Sequence, residues 1–186
     1  MTPTLRTTIG VKGSRPTVAN LDCKDRVYLF GSVNVVSGRL TTNMIPLPRR
    51  KKDQTKKSQR SFSYHFAHHL KHIARSYPQD DYDEVFIVID NASWHQGKLV
   101  NQVLKSNPHL KLHRLPSYSP QLNPIERFWK ILRRRATHNR LFPSLKELMK
   151  ALRDSLRYYQ TVTSRIKSML GNVWSYSTNS SIARLV

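Results

Sequence analysis

Residues 85–90 have the sequence VFIVID, and this stretch decides the class of fold. A continuous apolar run rich in β-branched residues is typical of a strand that is buried on both faces of a sheet. Asp90 ends the run, and functional groups in α/β proteins lie beyond the carboxyl ends of their strands. The stretch therefore predicts a buried strand that presents a carboxylate at the edge of a sheet.

The region upstream of this strand predicts a hairpin followed by a helix. Residues 27–36 are β-branched and aromatic, and residues 39–45 follow turn chemistry, so the two stretches are expected to pair as strands. Residues 46–60 are polar and strongly basic and predict a loop. Apolar residues at helical spacing from Phe62 to Ile73 predict the helix.

The region downstream continues the alternation of strands and helices. The expected elements are a short helix near residues 99–104, a strand at 110–115, a helix from Ile125 and a last long helix after Pro143. Ser144 and Glu147 fit a capping box for that last helix. The Ser/Asn-rich tail from Gly171 is expected to be loose. This order of elements predicts an α/β fold.

The composition points to a polyanionic partner. The chain of 186 residues has 32 Lys and Arg against 11 Asp and Glu, a formal net charge of +21. Such a charge favours nucleic acid as the partner, with an anionic membrane surface as the weaker choice. No apolar run approaches the roughly 20 residues that a bilayer span needs. The single Cys23 excludes an intrachain disulfide and a zinc site built from several cysteines.

Two carboxylates could share one site. Asp90 follows a strand and Glu126 opens a helix just after the next strand, so both are expected at one edge of the sheet. Carboxylates brought together repel unless a hard cation lies between them. Mg²⁺ among Lys and Arg side chains suits phosphoryl transfer on DNA or RNA.

Simpler interpretations of the same residues stay open at this point. Asp90 could cap a turn with Asn91 or Ser93. Asn123 could be the N-cap of the helix, with Glu126 completing a capping box. His95, Trp129 and the three arginines at 133–135 could serve structure or solvation alone. Residue chemistry alone therefore predicts a basic α/β protein and leaves its metal-dependent activity undecided.

Two longer motifs carry a resemblance. The stretch VIDNASWHQG at 88–97 and the stretch LPSYSPQLNPIERFWKILRRR at 115–135 resemble the catalytic domain of DDE transposases, in the bacterial insertion-sequence branch of the mariner superfamily. VKGSRP at 11–16 and VYLFGSVNVVSG at 27–38 are also similar to that family. The resemblance covers roughly residues 5–160, about one ordinary domain. It implies a ribonuclease-H-like, retroviral-integrase-like fold, a mixed sheet flanked by helices.

The resemblance also implies the chemistry of the site. The family's site holds three acids and two Mg²⁺ or Mn²⁺ ions, and by motif Asp90 matches the second acid and Glu126 the third. Asn91, His95 and Asn123 are expected beside them. The implied partner is DNA, as transposon ends and as target, held through basic side chains. These are Arg49, Arg50, Lys51, Lys52, Lys56, Lys57, Lys130, Arg133, Arg134 and Arg135.

The chain departs from the family pattern at its start. The first acid should stand on a strand upstream of KGSRP, but residues 1–21 contain no Asp or Glu. Asp22 and Asp25 follow that motif and Asp53 lies in the basic loop, so none is a good substitute. The first, central strand of the sheet is therefore expected to be missing, which would leave its neighbouring strands unpaired. Three outcomes are open: the tail occupies the empty position, a partner segment occupies it, or the chain folds poorly. We accordingly expect an incomplete catalytic domain at residues 1–165 and a tail at 166–186.

Three functions follow from these observations. The first is a transposase fragment for DNA cleavage and strand transfer that is inactive alone. An upstream transposase segment is expected to supply its missing strand, and self-association is a further expected partnership. The second is a catalytically dead remnant that binds DNA. The third is a structural nucleoprotein, which leaves the Asp90 and Glu126 motifs unexplained. For a transposase we expect a bacterial, cytoplasmic, nucleoid-associated protein with no membrane partner.

Overall fold

The computed structural model describes residues 12–13, 25–47, 61–117, 119, 122–170 and 182–185. Five strands and five α-helices lie within these ranges, with a short 3₁₀ turn at Ser93–His95. In chain order they are β1 (Arg26–Val33), β2 (Leu40–Leu47), α1 (Phe62–Ser76), β3 (Glu84–Ile89), α2 (Lys98–Ser106), β4 (Leu110–Arg114), α3 (Ile125–Ala136), α4 (Leu145–Thr161), α5 (Thr163–Leu170) and β5 (Ile182–Leu185).

The predicted hairpin is confirmed. β1 pairs with β2 in antiparallel register from Arg26 opposite Leu47 to Val33 opposite Leu40. The Asn34 side chain accepts hydrogen bonds from the backbone N–H groups of Val36 and Ser37, both at 2.9 Å, and so shapes the turn. Gly38 closes the turn with φ +74°, where a Cβ would lie 2.5 Å from the carbonyl oxygen of Thr163. The turn therefore needs glycine for its backbone angle and for its contact with α5.

β3 is the middle strand of a parallel sheet with the order β4, β3, β5. Val85, Ile87 and Ile89 are buried, and Phe86 and Val88 are partly buried, so one face of the strand is covered more completely than the predicted burial on both faces. β5 lies inside the tail that was expected to be loose, and that expectation is wrong for residues 182–185. The reason is that its pairing with β3 is long-range and leaves no local signal. Residues 171–181 lie outside the described residues.

Helices cover both faces of the strands. On one face, α1 and α2 bury Phe66, Leu70, Ile73 and Val103 against β3. On the other, α3, α4 and α5 form a second cluster that includes Phe128, Leu132 and Ile166 and packs against β1 and β2. Ser144 caps α4, since its hydroxyl oxygen accepts the Glu147 N–H at 3.2 Å, as its sequence predicts. The arrangement is a three-layer α/β fold.

The strands form two sheets where one mixed sheet was expected. The β1–β2 hairpin and the β4–β3–β5 sheet meet through a single antiparallel bridge between Asn34 and Leu185. The predicted class and the order of the first eight strands and α-helices are confirmed, whereas α5 and β5 were not predicted. The mixed α/β architecture is consistent with a ribonuclease-H-like fold. α5 crosses the boundary expected at residue 165. Among the helices of the described ranges, none has the length and apolar character needed to cross a bilayer.

Candidate active site

A cavity of about 370 Å³ opens between β1 and β3, and both predicted acids line it. Its walls come from β1 at residues 28–32, from the inward face of α1, from the last residues of β3 and from the start of α3. The two acids reach it from different elements, Asp90 from the end of β3 and Glu126 from the first turn of α3. The structure therefore brings together the two residues that the sequence placed at one edge of the sheet.

Asp90 is held at the mouth of the cavity with its side chain 61% exposed. Its Oδ1 accepts a hydrogen bond from the backbone N–H of Ala92 at 3.0 Å, so Asp90 does cap the turn that follows β3. Asn91 donates from its side-chain amide to the carbonyl oxygen of Leu115 at 2.7 Å, which ties this loop to the residue after β4. Capping one oxygen fixes the carboxylate and leaves the group exposed for other ligands.

His95 packs directly against Asp90. Its Nδ1 lies 3.0 Å from Asp90 Oδ1 and 3.1 Å from the Asp90 carbonyl oxygen, and its ring centre lies 4.4 Å from that of Phe66. Burial lowers the pKa of His95, although its contacts with Asp90 oppose that shift. A neutral ring that donates Nδ1–H to Asp90 satisfies both observations. His95 thus holds the Asp90 carboxylate in one orientation, and its place beside a catalytic site stays a prediction.

Glu126 lines the cavity as a half-buried side chain and does not belong to a capping box. In a capping box the Glu126 N–H would donate to the Asn123 side chain. It donates to the Asn123 backbone oxygen at 3.2 Å, and the start of α3 has no side-chain cap. The capping-box interpretation of these two residues is therefore wrong. The N-cap is Pro124, which has no side-chain hydrogen-bonding group, and the buried Oδ1 of Asn123 has no hydrogen-bond partner among the described residues.

Trp129 fixes the distance between α3 and β1. The ring lies over Gly31, and a Cβ at that glycine would come within 2.5 Å of Trp129 Cη2. Trp129 is therefore a packing residue, as its simpler interpretation predicts, and it stands one helical turn after Glu126. The absence of a side chain at Gly31 lets α3 approach β1 and carries Glu126 to the cavity.

The donor set fits one divalent cation better than two. Mg²⁺ commonly takes one or two protein carboxylates and completes its shell with water and phosphate oxygens, which Asp90 and Glu126 could accommodate. Within the described ranges no group of three or more His, Cys, Asp and Glu side chains could hold a metal. Asp25 does not line the cavity, and Asp22 and Asp53 lie outside the described residues. A site with two metal ions would need a further acid.

The basic residues of α3 follow Glu126 along the helix. Lys130 and Arg133 stand four and seven residues after Glu126, so the three share one stripe of the helix. Both basic side chains are exposed, as is that of Arg134. Arg135 is exposed as well, and its guanidinium stacks on Tyr158, with 3.9 Å from the guanidinium carbon to the ring centre. The six basic residues of the loop, from Arg49 to Lys57, lie outside the described residues.

Two features of the site were missed from the sequence. Arg114 ends β4, is exposed, lies 3.5 Å from Gln96 through its Nη2, and helps to lower the pKa of His95. The strand-end rule that found Asp90 could have found Arg114 as well. An aromatic cluster also borders the mouth, with ring centres 5.5 Å apart for Phe62 and Trp94 and 4.9 Å apart for Tyr28 and Phe62. Its members come from three elements, so no local pattern reveals it.

Comparison with solved structures supports the fold. A Mos1 transposase paired-end complex with left transposon end matches 92% of this chain and 52% of that chain, with a TM-score of 0.52 at 13% identity. The Mos1 strand transfer complex matches 95% of this chain and 52% of that chain, with a TM-score of 0.55 at 14% identity. At these identities the likeness establishes the fold alone.

Sequence comparison identifies the family. The chain is 35% identical over 81 residues to the uncharacterized protein y4pE/y4sA of Sinorhizobium fredii (strain NBRC 101917 / NGR234), over 44% of this chain and 56% of that protein. It is 32% identical over 69 residues to the insertion element IS630 uncharacterized 39 kDa protein of Shigella sonnei, over 37% of this chain and 20% of that protein. The chain thus spans about half or less of these relatives.

The family assignment rests on the match of widest coverage. The sequence model of the DDE superfamily endonucleases matches residues 2–149, a range that contains Asp90, Glu126 and the strands and helix that position them. Members of that superfamily generally use divalent metal ions. The chain therefore belongs to the DDE superfamily of endonucleases.

Proposed function

We propose that the chain is the catalytic part of a transposase that cleaves and joins DNA, with Asp90 and Glu126 as two of its three acids. The observation that carries the proposal is that these two residues, from separate elements, line one cavity beyond the carboxyl end of β3. Alone the chain is inactive, because a third acid has to come from elsewhere. The catalytic domain comprises residues 1–165 and is followed by a tail at 166–186.

The two acids would hold a divalent ion, Mg²⁺ or Mn²⁺, and a complete site with a third acid would hold two. When bound, such ions supply positive charge to the phosphate oxygens and to the attacking and leaving oxygens. His95 keeps the Asp90 carboxylate in one orientation through its Nδ1–H. Trp129, seated on Gly31, keeps Glu126 at the cavity. These supports matter because a catalytic group must be held within about 0.5 Å of its productive position.

DNA is the proposed substrate, both as transposon ends and as target. The net charge of +21 attracts a polyanion. Lys130, Arg133 and Arg134 are exposed on the helix that carries Glu126, so phosphates bound there would lie along the path to the acids. Arg49, Arg50, Lys51, Lys52, Lys56 and Lys57 are proposed to add phosphate contacts. Phosphate contacts position the duplex and carry no direct sequence information. We place this activity in the bacterial cytoplasm, at the nucleoid.

The proposed partner that completes the site is an upstream transposase segment, and self-association is a second route to the same end. The first, central strand of the ribonuclease-H-like sheet and its acid are taken to be missing from this chain. The test is a strand-cleavage and strand-joining assay with Mn²⁺, performed on this chain and on a version extended upstream by a strand that ends in Asp. Activity of the extended version alone is expected. Activity of neither version would overturn the proposal.

A second candidate function is a catalytically dead protein that binds DNA. It is favoured by one observation, that the described residues offer no three-acid group for metal. The same assay separates the candidates, since a dead protein would bind duplex DNA in both versions and cleave it in neither. Asp90→Asn and Glu126→Gln in the extended version are the matched controls, because they remove the acids and preserve the shape of the side chains.

A further inference from the structure

A groove between β2 and α1 lies apart from the candidate active site. It has a volume of about 450 Å³ and is lined by residues 43–46 of β2 and by one side of α1. Three of the α1 residues that line it are histidines, His65, His68 and His72. None of these three lines the cavity that holds the two acids. The groove is therefore a separate place at which imidazole rings gather.

Helical spacing brings these histidines to one stripe of α1. With about 3.6 residues per turn, they fall within about 60° of one another around the helix axis. The residues that α1 turns to the cavity, among them Phe66 and Ile73, are centred roughly 100° away around the same axis. His68 and His72 are four residues apart, so their Cβ atoms are about 6 Å apart. Two histidines at this spacing on a helix can bind the same metal ion.

Asn43 of β2 orients both rings of this pair. Its side-chain nitrogen lies 3.1 Å from Nδ1 of His68, and its side-chain oxygen lies 2.7 Å from Nδ1 of His72. Both rings therefore direct Nδ1 toward Asn43 and Nε2 away from it. A hydrogen bond at one ring nitrogen is what orients a metal-binding histidine, because it fixes the ring and the tautomer while the other nitrogen binds the ion.

The amide of Asn43 suits one of the two rings better than the other. His72 donates its Nδ1–H to the amide oxygen, which leaves a lone pair on Nε2. His68 accepts the amide N–H at Nδ1, so its proton lies on Nε2 and has to move to Nδ1 before Nε2 can bind a metal ion. The exposed His68 ring can then donate to water instead. A carboxylate in place of the amide would accept from both Nδ1–H groups.

The donors and charges of the groove select the class of metal ion. Burial lowers the pKa of His72, and the nearby charges of His68 and Arg75 add to that shift. The ring is therefore neutral at neutral pH, as a metal ligand must be. Among the described residues that line the groove there is no Asp or Glu, so the carboxylates that Mg²⁺ and Ca²⁺ prefer are absent. Neutral imidazoles suit Zn²⁺, Ni²⁺ and Cu²⁺, although the charge of Arg75 lowers the affinity for any cation.

We propose that His68 and His72 bind one divalent transition-metal ion of the class of Zn²⁺, Ni²⁺ and Cu²⁺ through their Nε2 atoms. Asn43 is the positioning residue, and water fills the remaining coordination positions. The site has two protein ligands, since the described part of the chain contains no group of three or more His, Cys, Asp and Glu that could hold a metal ion. It shares no residue with the two acids, so it stands or fails independently of the proposed function.

The test is a calorimetric titration of the untagged full chain with Ni²⁺ and with Zn²⁺, in a buffer that contains Mg²⁺ in excess. We expect a single ion to bind per chain in the presence of Mg²⁺. His68→Gln and His72→Gln should each weaken binding at least about tenfold, because each removes one of the two protein ligands. His113→Gln is the matched control, since that histidine is exposed on β4, and it should leave binding unchanged. His68 is exposed, so its variant tests the inference even if the His72 variant does not fold.

Variants of Asn43 separate a metal site from a purely structural contact. Asn43→Asp should strengthen Ni²⁺ binding about tenfold, because a carboxylate accepts from both Nδ1–H groups, and Asn43→Ala should weaken it by about the same factor. The gain should vanish when His68 or His72 is also replaced by Gln. In a purely structural role these changes would alter the urea midpoint and leave the affinity for Ni²⁺ as it was.

Four results would overturn the inference. They are the absence of binding, binding that survives both glutamine substitutions, displacement of the ion by Mg²⁺, and an affinity that no Asn43 variant changes. Displacement by Mg²⁺ would assign the ion to Asp90 and Glu126. DNA cleavage by the version extended upstream should be the same for His68→Gln as for the parent, so a failure of that cleavage assay leaves the histidine site untouched.

Discussion

The two edges of β3 are paired to different extents, and the difference determines how the candidate site is supported and reached. On one edge β4 pairs with β3 from Val85 to Ile89, and the Leu115 N–H extends the ladder to the Ile89 oxygen at 2.8 Å. On the other edge β5 stops at Ile87, and a cavity with Asp90 and Glu126 begins. The continuous edge holds Asp90 in place, and the discontinuous edge gives access to it. Rigid support and access to the site thus come from opposite sides of one strand.

The largest expected effect comes from removing the acids at the discontinuous edge. In the version extended upstream, Asp90→Asn or Glu126→Gln should reduce DNA cleavage at least about 1000-fold, because metal stabilisation of transition-state charge is worth several kcal/mol. Duplex binding and the urea midpoint should stay close to the parent values, since neither carboxylate holds an element together. Cleavage within tenfold of the parent would contradict the assignment. Asp154→Asn on α4 is the control, because that carboxylate is exposed and does not line the cavity.

The next prediction compares how much β5 and β4, the two neighbours of β3, contribute to the stability of the fold. Leu185→Ala in β5 should cost about 2–5 kcal/mol of unfolding free energy, because this side chain is fully buried in the first core cluster. Leu112→Ala in β4 should cost less, since Leu112 is only partly buried against the same cluster. Urea unfolding of both variants measures the difference. Equal losses would mean that β5 contributes no more to the core than β4 does.

A third effect is the pH dependence of the unfolding free energy that the buried side chain of His69 causes. The folded-state pKa of His69 is about 3 against an ordinary value of 6.5, so the unfolded chain binds more protons below pH 6.5. Stability should fall as pH falls, by about 2 kcal/mol between pH 7 and pH 5 for this residue. His69→Leu should remove that part of the slope, with Gln102→Leu as an exposed control. An unchanged slope in urea titrations would contradict the burial of a neutral ring.

The smallest effect concerns DNA phosphates along α3. Replacing Lys130 and Arg133 by Ala should lower the slope of log affinity against log salt by about 1.8, or 0.9 for each phosphate that is no longer neutralised. Arg135→Ala should change the slope by less, since its guanidinium stacks on Tyr158. Binding of two unrelated duplexes over a salt series measures these slopes. Weaker binding to one duplex alone would indicate base contacts in place of phosphate contacts.

The sequence predicted those elements that depend on interactions between residues close together in the chain. The hairpin, α1, α4 and the strand before Asp90 follow from alternation, helical spacing and a side-chain cap, and each is confirmed. The Asn123 capping box failed because a one-residue shift of the helix start, through Pro124, removed its geometry. β5 was missed because four residues pair with a strand about a hundred positions earlier. The cavity walls were missed for the same reason, since Tyr28, Phe62 and Trp94 meet only in the folded chain.

The position of β5 has a consequence for synthesis on the ribosome. β5 lies in the middle of the strands it joins, yet it is translated after all of them. During translation, at about 5–20 residues per second, β1, β3 and their helices can assemble while the place of Leu185 is still open. In that interval a nascent chain would present a longer edge than the finished protein does. Association with another strand would then be easiest before residues 182–185 leave the ribosome, and polysomes would be the place to look for it.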